Sequence, residues 1–178
     1  MSKTEILRSL RLAIGDTGKS NRHFLEAPGL AGGISKGITA ELLGNATTEW
    51  LLKLFNVHRD AFIFWCEKSL PINPTAIHQR GIALERIKFL QTTGDLQQAL
   101  RMVLESGLYP FVVAPNRFTE IKIFQRFQLL TEKSESILFL MAEKNFSSAW
   151  PISLQLEINY LDGEFEIHTR RQKHASAI

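Results

Sequence analysis

The side chains that could ligate a metal or act as nucleophiles are few and scattered along this chain. Five histidines, His23, His58, His78, His168 and His174, accompany a single cysteine, Cys66, and none shows the paired spacing of a metal site. They read as surface or ordinary core residues. No Gly-x-Ser-x-Gly elbow, catalytic carboxylate pair or nucleophilic cysteine context emerges. Gly32-Gly33 has the composition of a phosphate-binding turn, but no strand is expected before it and no Gly-Lys-Ser/Thr ending follows at the proper distance. Basic groups are better candidates for binding. Arg117, Lys122 and Arg126 lie near Phe118 and Phe124, a mixture that can engage single-stranded DNA by charge and stacking. Phe124 falls on the predicted buried face and Glu120 sits among them, so a core beneath a solvated face is the plainer reading. Arg170, Arg171 and Lys173 form a second basic group. Trp50 and Trp65 are expected in the core, and Trp150, just before Pro151, as a half-exposed anchor.

The totals bound the setting of these groups. A chain of 178 residues is most simply one domain with a core large enough to need no disulfide or metal. One cysteine cannot form an internal disulfide, which favours a reducing, cytoplasmic compartment. No basic segment leads into an apolar leader at the N-terminus, and no window is long and apolar enough to span a membrane. The formal net charge is +3. Residues 170–178 contain Arg170, Arg171 and Lys173 with no acid and account for all of it, so the basic character belongs to a C-terminal tail. Such a tail suits nucleic acid or an acidic partner, or is a solvated end.

The elements follow from periodicity. Ser2-Lys3-Thr4-Glu5 fits a capping box, and Ile6, Leu7, Leu10, Ala13 and Ile14 share one face of the helix after it, which Gly15 ends. This helix over 1–15 either packs on its own domain or is an arm that docks on another chain through Ile6, Leu7 and Leu10. Residues 16–37, with six punctuating Gly and Pro residues, read as a linker. From 38 onward apolar strands alternate with amphipathic helices: strands at 38–43, 61–66, 86–90, 109–114 and 136–141, helices at 49–55, 75–80, 94–106 and from Thr119. Asn45 is a candidate cap for the first of these helices, Asn73 with Pro74 for the second, and Thr92 or Thr93 for the third. Gly107 sits where a left-handed helix end wants glycine. Residues 152–158 and 164–168 alternate with period 2 around Asp162-Gly163 and form a hairpin with one wet face. The expected fold class is α/β, a mostly parallel sheet flanked by helices over 38–169 with an antiparallel hairpin at its end.

The order of these elements resembles the ATPase core of RecA recombinases. Asn73-Pro74 opens a short helix, a strand follows, and Gln97-Gln98-Ala99-Leu100 and Glu105-Ser106-Gly107 match a helix and turn that precede that family's Walker B strand. The likeness covers about 38–141. Two departures matter. The turn equivalent to the family's phosphate loop, Gly44-Asn45-Ala46-Thr47-Thr48, is short and has no lysine, and Val112-Val113 is followed by Ala114-Pro115 where an aspartate should hold magnesium. Glu67 falls near the position of the family's catalytic glutamate and reads as a strand-end surface residue. Neither ATP hydrolysis nor a cofactor or metal is expected. Two bacterial groups share such a core without its nucleotide site: ImuA proteins, accessories of error-prone polymerases in damage-induced mutagenesis, and SulA, the division inhibitor that binds FtsZ. The resemblance implies a non-catalytic accessory of the SOS response acting in translesion synthesis. Its partner would be a Y-family DNA polymerase or RecA, met through the N-terminal helix, with DNA or an acidic partner at the tail. The alternative is a SulA-like inhibitor of FtsZ, and a third reading is a residual nucleotide binder without hydrolysis.

Overall fold

A computed structural model describes residues 23–67, 72–92 and 94–173. Its centre is a seven-stranded sheet. The strands in chain order are β3 (Ile38–Leu43), β4 (Ile63–Glu67), β5 (Ile87–Gln91), β6 (Phe111–Pro115), β7 (Ile137–Met141), β8 (Leu154–Leu161) and β9 (Glu164–Gln172). They lie side by side as β5-β4-β6-β7-β3-β8-β9. Every neighbouring pair is parallel except β8 and β9, which form an antiparallel hairpin. The four central apolar strands read from the sequence are continuous because both of their faces are covered, as parallel sheets require.

The cover divides by face. On one side, helix α1 (Thr47–Val57) and the short helix α2 (Pro74–Gln79) bring Trp50, Leu51, Leu54, Phe55 and Ile77 onto Ile38, Ala40, Leu42, Trp65 and Phe139. On the other, α3 (Leu96–Ser106) and α4 (Ile121–Ser134) set Leu100, Leu104, Phe124 and Phe127 against Phe64, Val112, Ala114, Leu138 and Leu140. Trp50 and Trp65 are fully buried. Removing a side chain such as Phe127 from this packing costs about 3–5 kcal/mol.

Local chemistry sets the helix ends. Asn73 accepts from the Thr75 amide at 2.9 Å with Pro74 in the first turn, as its sequence suggested. Gly107 closes α3 with φ of 64°, the left-handed conformation expected there. The cap of α3 is Asp95, which accepts from the Gln98 amide at 3.0 Å; Thr92 instead accepts from Gly94. Asn45 does not cap α1. Ala46 holds that position without a side-chain cap, and Asn45 turns toward β8. Within α4, Phe124 and Phe127 point inward while Ile121 is exposed.

Three further readings are corrected. Residues 24–35 of the expected linker form an antiparallel pair, β1 (Phe24–Ala27) and β2 (Leu30–Ser35), so a strand does precede Gly32-Gly33, which itself lies within β2. Trp50 Nε1 donates to the Pro28 carbonyl at 2.8 Å and His58 Nε2 lies 2.7 Å from the Glu26 carbonyl, pinning this pair to α1. The hairpin does not have one wet face throughout, because β8 is an interior strand paired on both edges and Leu154, Gln155 and Leu156 are all buried. Finally, Arg170 and Arg171 are not in a loose tail: β9 continues to Gln172. The helix read over 1–15, with Ile6, Leu7 and Leu10, lies outside the described residues. Among the described residues no helix is long and apolar enough to cross a membrane.

Candidate functional site

Two places bring chemistry-bearing residues together: the ends of β3, β4 and β6, and the end of β9. At the first, β3 runs into the 44–48 turn before α1. Gly44 has φ of 123°, and a Cβ built there would sit 2.1 Å from the Ile158 carbonyl oxygen, so only glycine fits against β8. The next amides are taken by the same strand. Asn45 N donates to Asn159 Oδ1 at 3.2 Å, and Ala46 N donates to the Ile158 carbonyl at 3.2 Å. Asn45 Oδ1 in turn accepts from the Tyr160 amide at 3.0 Å. A phosphate loop works by aiming such amides at an anion; here two of them face the protein itself. In the first turn of α1, Glu49 binds Arg80 through Nε at 2.9 Å and Nη2 at 2.8 Å. The carboxylate suits the helix dipole, and its ion pair with Arg80 leaves that guanidinium engaged rather than free to meet an anion.

Glu67, at the end of β4, accepts from Trp65 Nε1 at 2.6 Å. Burial pushes its carboxyl up from the ordinary range, and the indole hydrogen bond opposes that shift. The neighbouring Cys66 is fully buried. Burial and then the Glu67 charge push its thiol up, against a smaller pull from Arg117. A thiol so placed stays protonated and is a poor nucleophile.

The sequence reading missed Glu41. It sits inside β3 with no solvent exposure. Its carboxylate accepts from Asn116 Nδ2 at 2.5 Å, from the Ser147 amide at 3.1 and 2.9 Å, and from Gln155 Nε2 at 2.7 Å. All of these donors are neutral. The acid therefore works as a clasp, joining the end of β6, the connection after β7 and β8. Its one sequence signal is an acid in the middle of an apolar strand; its partners lie 75 to 114 residues away.

The basic groups divide differently than their sequence suggests. Arg117, Lys122 and Arg126 are exposed, but the aromatics near them are not interleaved at the surface. Phe118 packs edge-on against Phe124 and Phe127 at 6.3 and 5.0 Å. Among the described residues no group of three or more His, Cys, Asp or Glu side chains can hold a metal ion.

Arg170, Arg171 and Lys173 are brought together with Trp150. The β8–β9 register passes from Leu156 opposite Thr169 to Gln155 opposite Arg171, leaving Arg170 as the extra residue of a bulge. Arg170 binds Glu157 through Nε at 2.9 Å and Nη2 at 2.5 Å, which holds the Glu157 carboxyl below its ordinary range. Gln155 and Glu157 are two residues apart on one strand and share a face, so the bulge turns both arginines to that face. Arg171 Nη1 donates to the Ala149 carbonyl at 2.7 Å, and Lys173 Nζ donates to the Trp150 carbonyl. The Lys173 ammonium also lies 5.3 Å from the centre of the Trp150 ring, and that indole is 57% exposed.

No protein-family model and no curated protein sequence matches this chain. Among solved structures, the RadB recombinase is similar with a TM-score of 0.59 at 11% identity, over 79% of this chain and 83% of that one. A likeness of that extent at so low an identity is one of backbone architecture, and it shows that this α/β sandwich has the RecA-like fold.

Proposed function

We propose that this chain is a RecA-like domain without a working nucleotide site that acts through contacts with other macromolecules, as a non-catalytic accessory of the bacterial DNA-damage response. The observation that carries this reading is the 44–48 turn. Its Asn45 and Ala46 amides are bound by Asn159 and Ile158 of β8, in the place where the resemblance to recombinase cores calls for a phosphate cradle. The missing lysine in that turn and the Ala114-Pro115 ending of β6 point the same way. Glu67, the one carboxylate near the family's catalytic position, is tied to Trp65.

A domain of this kind acts by displaying surfaces. The element order suits ImuA proteins and SulA alike, and the closing hairpin with its basic end, Phe165 to Arg171, resembles ImuA proteins more. This supports a role in translesion synthesis, with a Y-family polymerase or RecA as partner and the N-terminal segment carrying Ile6, Leu7 and Leu10 as the contact. The test is pull-down of the purified full chain with RecA, the Y-family polymerase and FtsZ of its own host. Retention of RecA or the polymerase, lost on deleting 1–15, is the expected result. Retention of FtsZ alone would replace this reading with a division inhibitor of the SulA kind.

A further inference from the structure

The surface formed by Trp150, Arg171 and Lys173 combines features that ordinary core packing does not explain. Ala149 and Ile152 on either side of it are buried, yet the Trp150 indole is 57% exposed. It is held out by a firm frame. The Ala149 amide donates to Ser147 Oγ at 3.1 Å, the Ile152 amide to the Ala149 carbonyl at 3.4 Å, and the Lys173 amide to the Ser153 carbonyl at 2.9 Å. The Ala149 and Trp150 carbonyls are taken by Arg171 and Lys173.

The charges are also unbalanced. Arg170 is neutralised by Glu157, but Arg171 and Lys173 rest on neutral carbonyls, and the sequence holds no acid after Glu166. Burial and then the nearby Arg171 charge lower the Lys173 ammonium from its ordinary value, each disfavouring the charged form. An exposed indole beside two cations that have no carboxylate partner among the described residues meets the needs of one ligand class: a base to stack and phosphates to pair. An acidic peptide would use the cations and leave the indole idle.

We propose that Trp150, Arg171 and Lys173 form a docking site for single-stranded nucleic acid, with a base stacked on the Trp150 indole and the flanking phosphates held by Arg171 and Lys173.

Fluorescence reads this site selectively, because Trp50 and Trp65 are fully buried and Trp150 is the one exposed indole of the three tryptophans. The full chain is titrated with a twelve-nucleotide oligothymidylate and, separately, with polyglutamate of equal charge. The expected result is that oligothymidylate quenches the emission and protects it from acrylamide, whereas polyglutamate does neither. With two phosphate contacts, affinity should fall about sevenfold between 50 and 200 mM salt. Read by the anisotropy of a fluorescein-labelled oligothymidylate, since one variant lacks the reporting indole, Trp150→Ala should weaken binding about fivefold or more, and Lys173→Gln should weaken it and flatten the salt dependence, both with the far-ultraviolet circular dichroism of the folded parent. No quenching by oligothymidylate, or equal quenching by polyglutamate, overturns the proposal. Failure to bind oligonucleotide would leave the reading of the 44–48 turn untouched, and nucleotide binding at that turn would leave this surface untouched.

Discussion

Asn45 and Asn159 tie the turn after β3 to β8: the Asn45 amide donates to Asn159 Oδ1 at 3.2 Å, and Asn45 Oδ1 accepts from the amide of Tyr160, the next residue of β8, at 3.0 Å. The turn after β3 is thereby stitched to the sheet rather than left open above it. Gly44 makes this possible by lying against the Ile158 carbonyl. Gly44→Ala should therefore destabilise the protein by about 3 kcal/mol, from a strained positive φ and the overlap with that oxygen. Urea unfolding midpoints for the two chains check this. An unchanged midpoint would mean that the turn is not held as described.

Glu41 is the second dependency. Replacing it with alanine strips a buried acceptor from Asn116, the Ser147 amide and Gln155 at once. Each buried donor left unpaired costs about 1–3 kcal/mol, so Glu41→Ala should cost about 3 kcal/mol or more. The amide of Ser147 should also lose protection in hydrogen exchange, since Glu41 is the partner that holds it.

Glu67 gives a pH signature with a definite sign. Its folded carboxyl titrates above the ordinary value of 4.5, so the folded state holds that proton more tightly than the unfolded chain. The associated stability is fully present below about pH 4.5 and is lost as pH rises through the higher folded value. Glu67→Gln keeps an acceptor for Trp65 Nε1 and removes the titration. It should unfold at the same or a higher denaturant concentration than the parent at pH 7, with the difference vanishing at pH 4. A variant less stable at pH 7 than at pH 4, relative to the parent, would contradict this.

Cys66 is fully buried, with its thiol pushed up by burial. Ellman's reagent should find no reactive thiol in the native protein and one per chain in guanidinium. Fast reaction in the native state would place the residue at the surface instead.

The sequence showed most clearly the buried strands and the helix ends that carry a local signal. The strand Ile38–Leu43 has the bounds its apolar run between Gly37 and Gly44 suggests, and Gly107 ends α3 where the helical period stops. The β1–β2 pair was hidden because Gly29, Gly32 and Gly33 all adopt positive φ inside or beside it, and in a sequence such a density of glycine looks like loop. The end of β9 was hidden for a different reason. It packs inward only through Phe165 and Ile167, so its last residues look like any polar tail until β8 supplies their partners. Trp150 could be read as an anchor, but its pairing with Lys173 across 23 residues could not. Glu41 stood out only as an acid within an apolar strand, and its role was hidden because its donors come from three separate elements.

The Asn45 and Ala46 amides are bound by β8 and so are not free to hold a phosphate chain. Calorimetric titration of the full chain with ATP and magnesium tests this most directly. The account predicts no saturable heat up to millimolar nucleotide, and the same silence with ADP. Saturable binding in the micromolar range, at one site per chain, would contradict it.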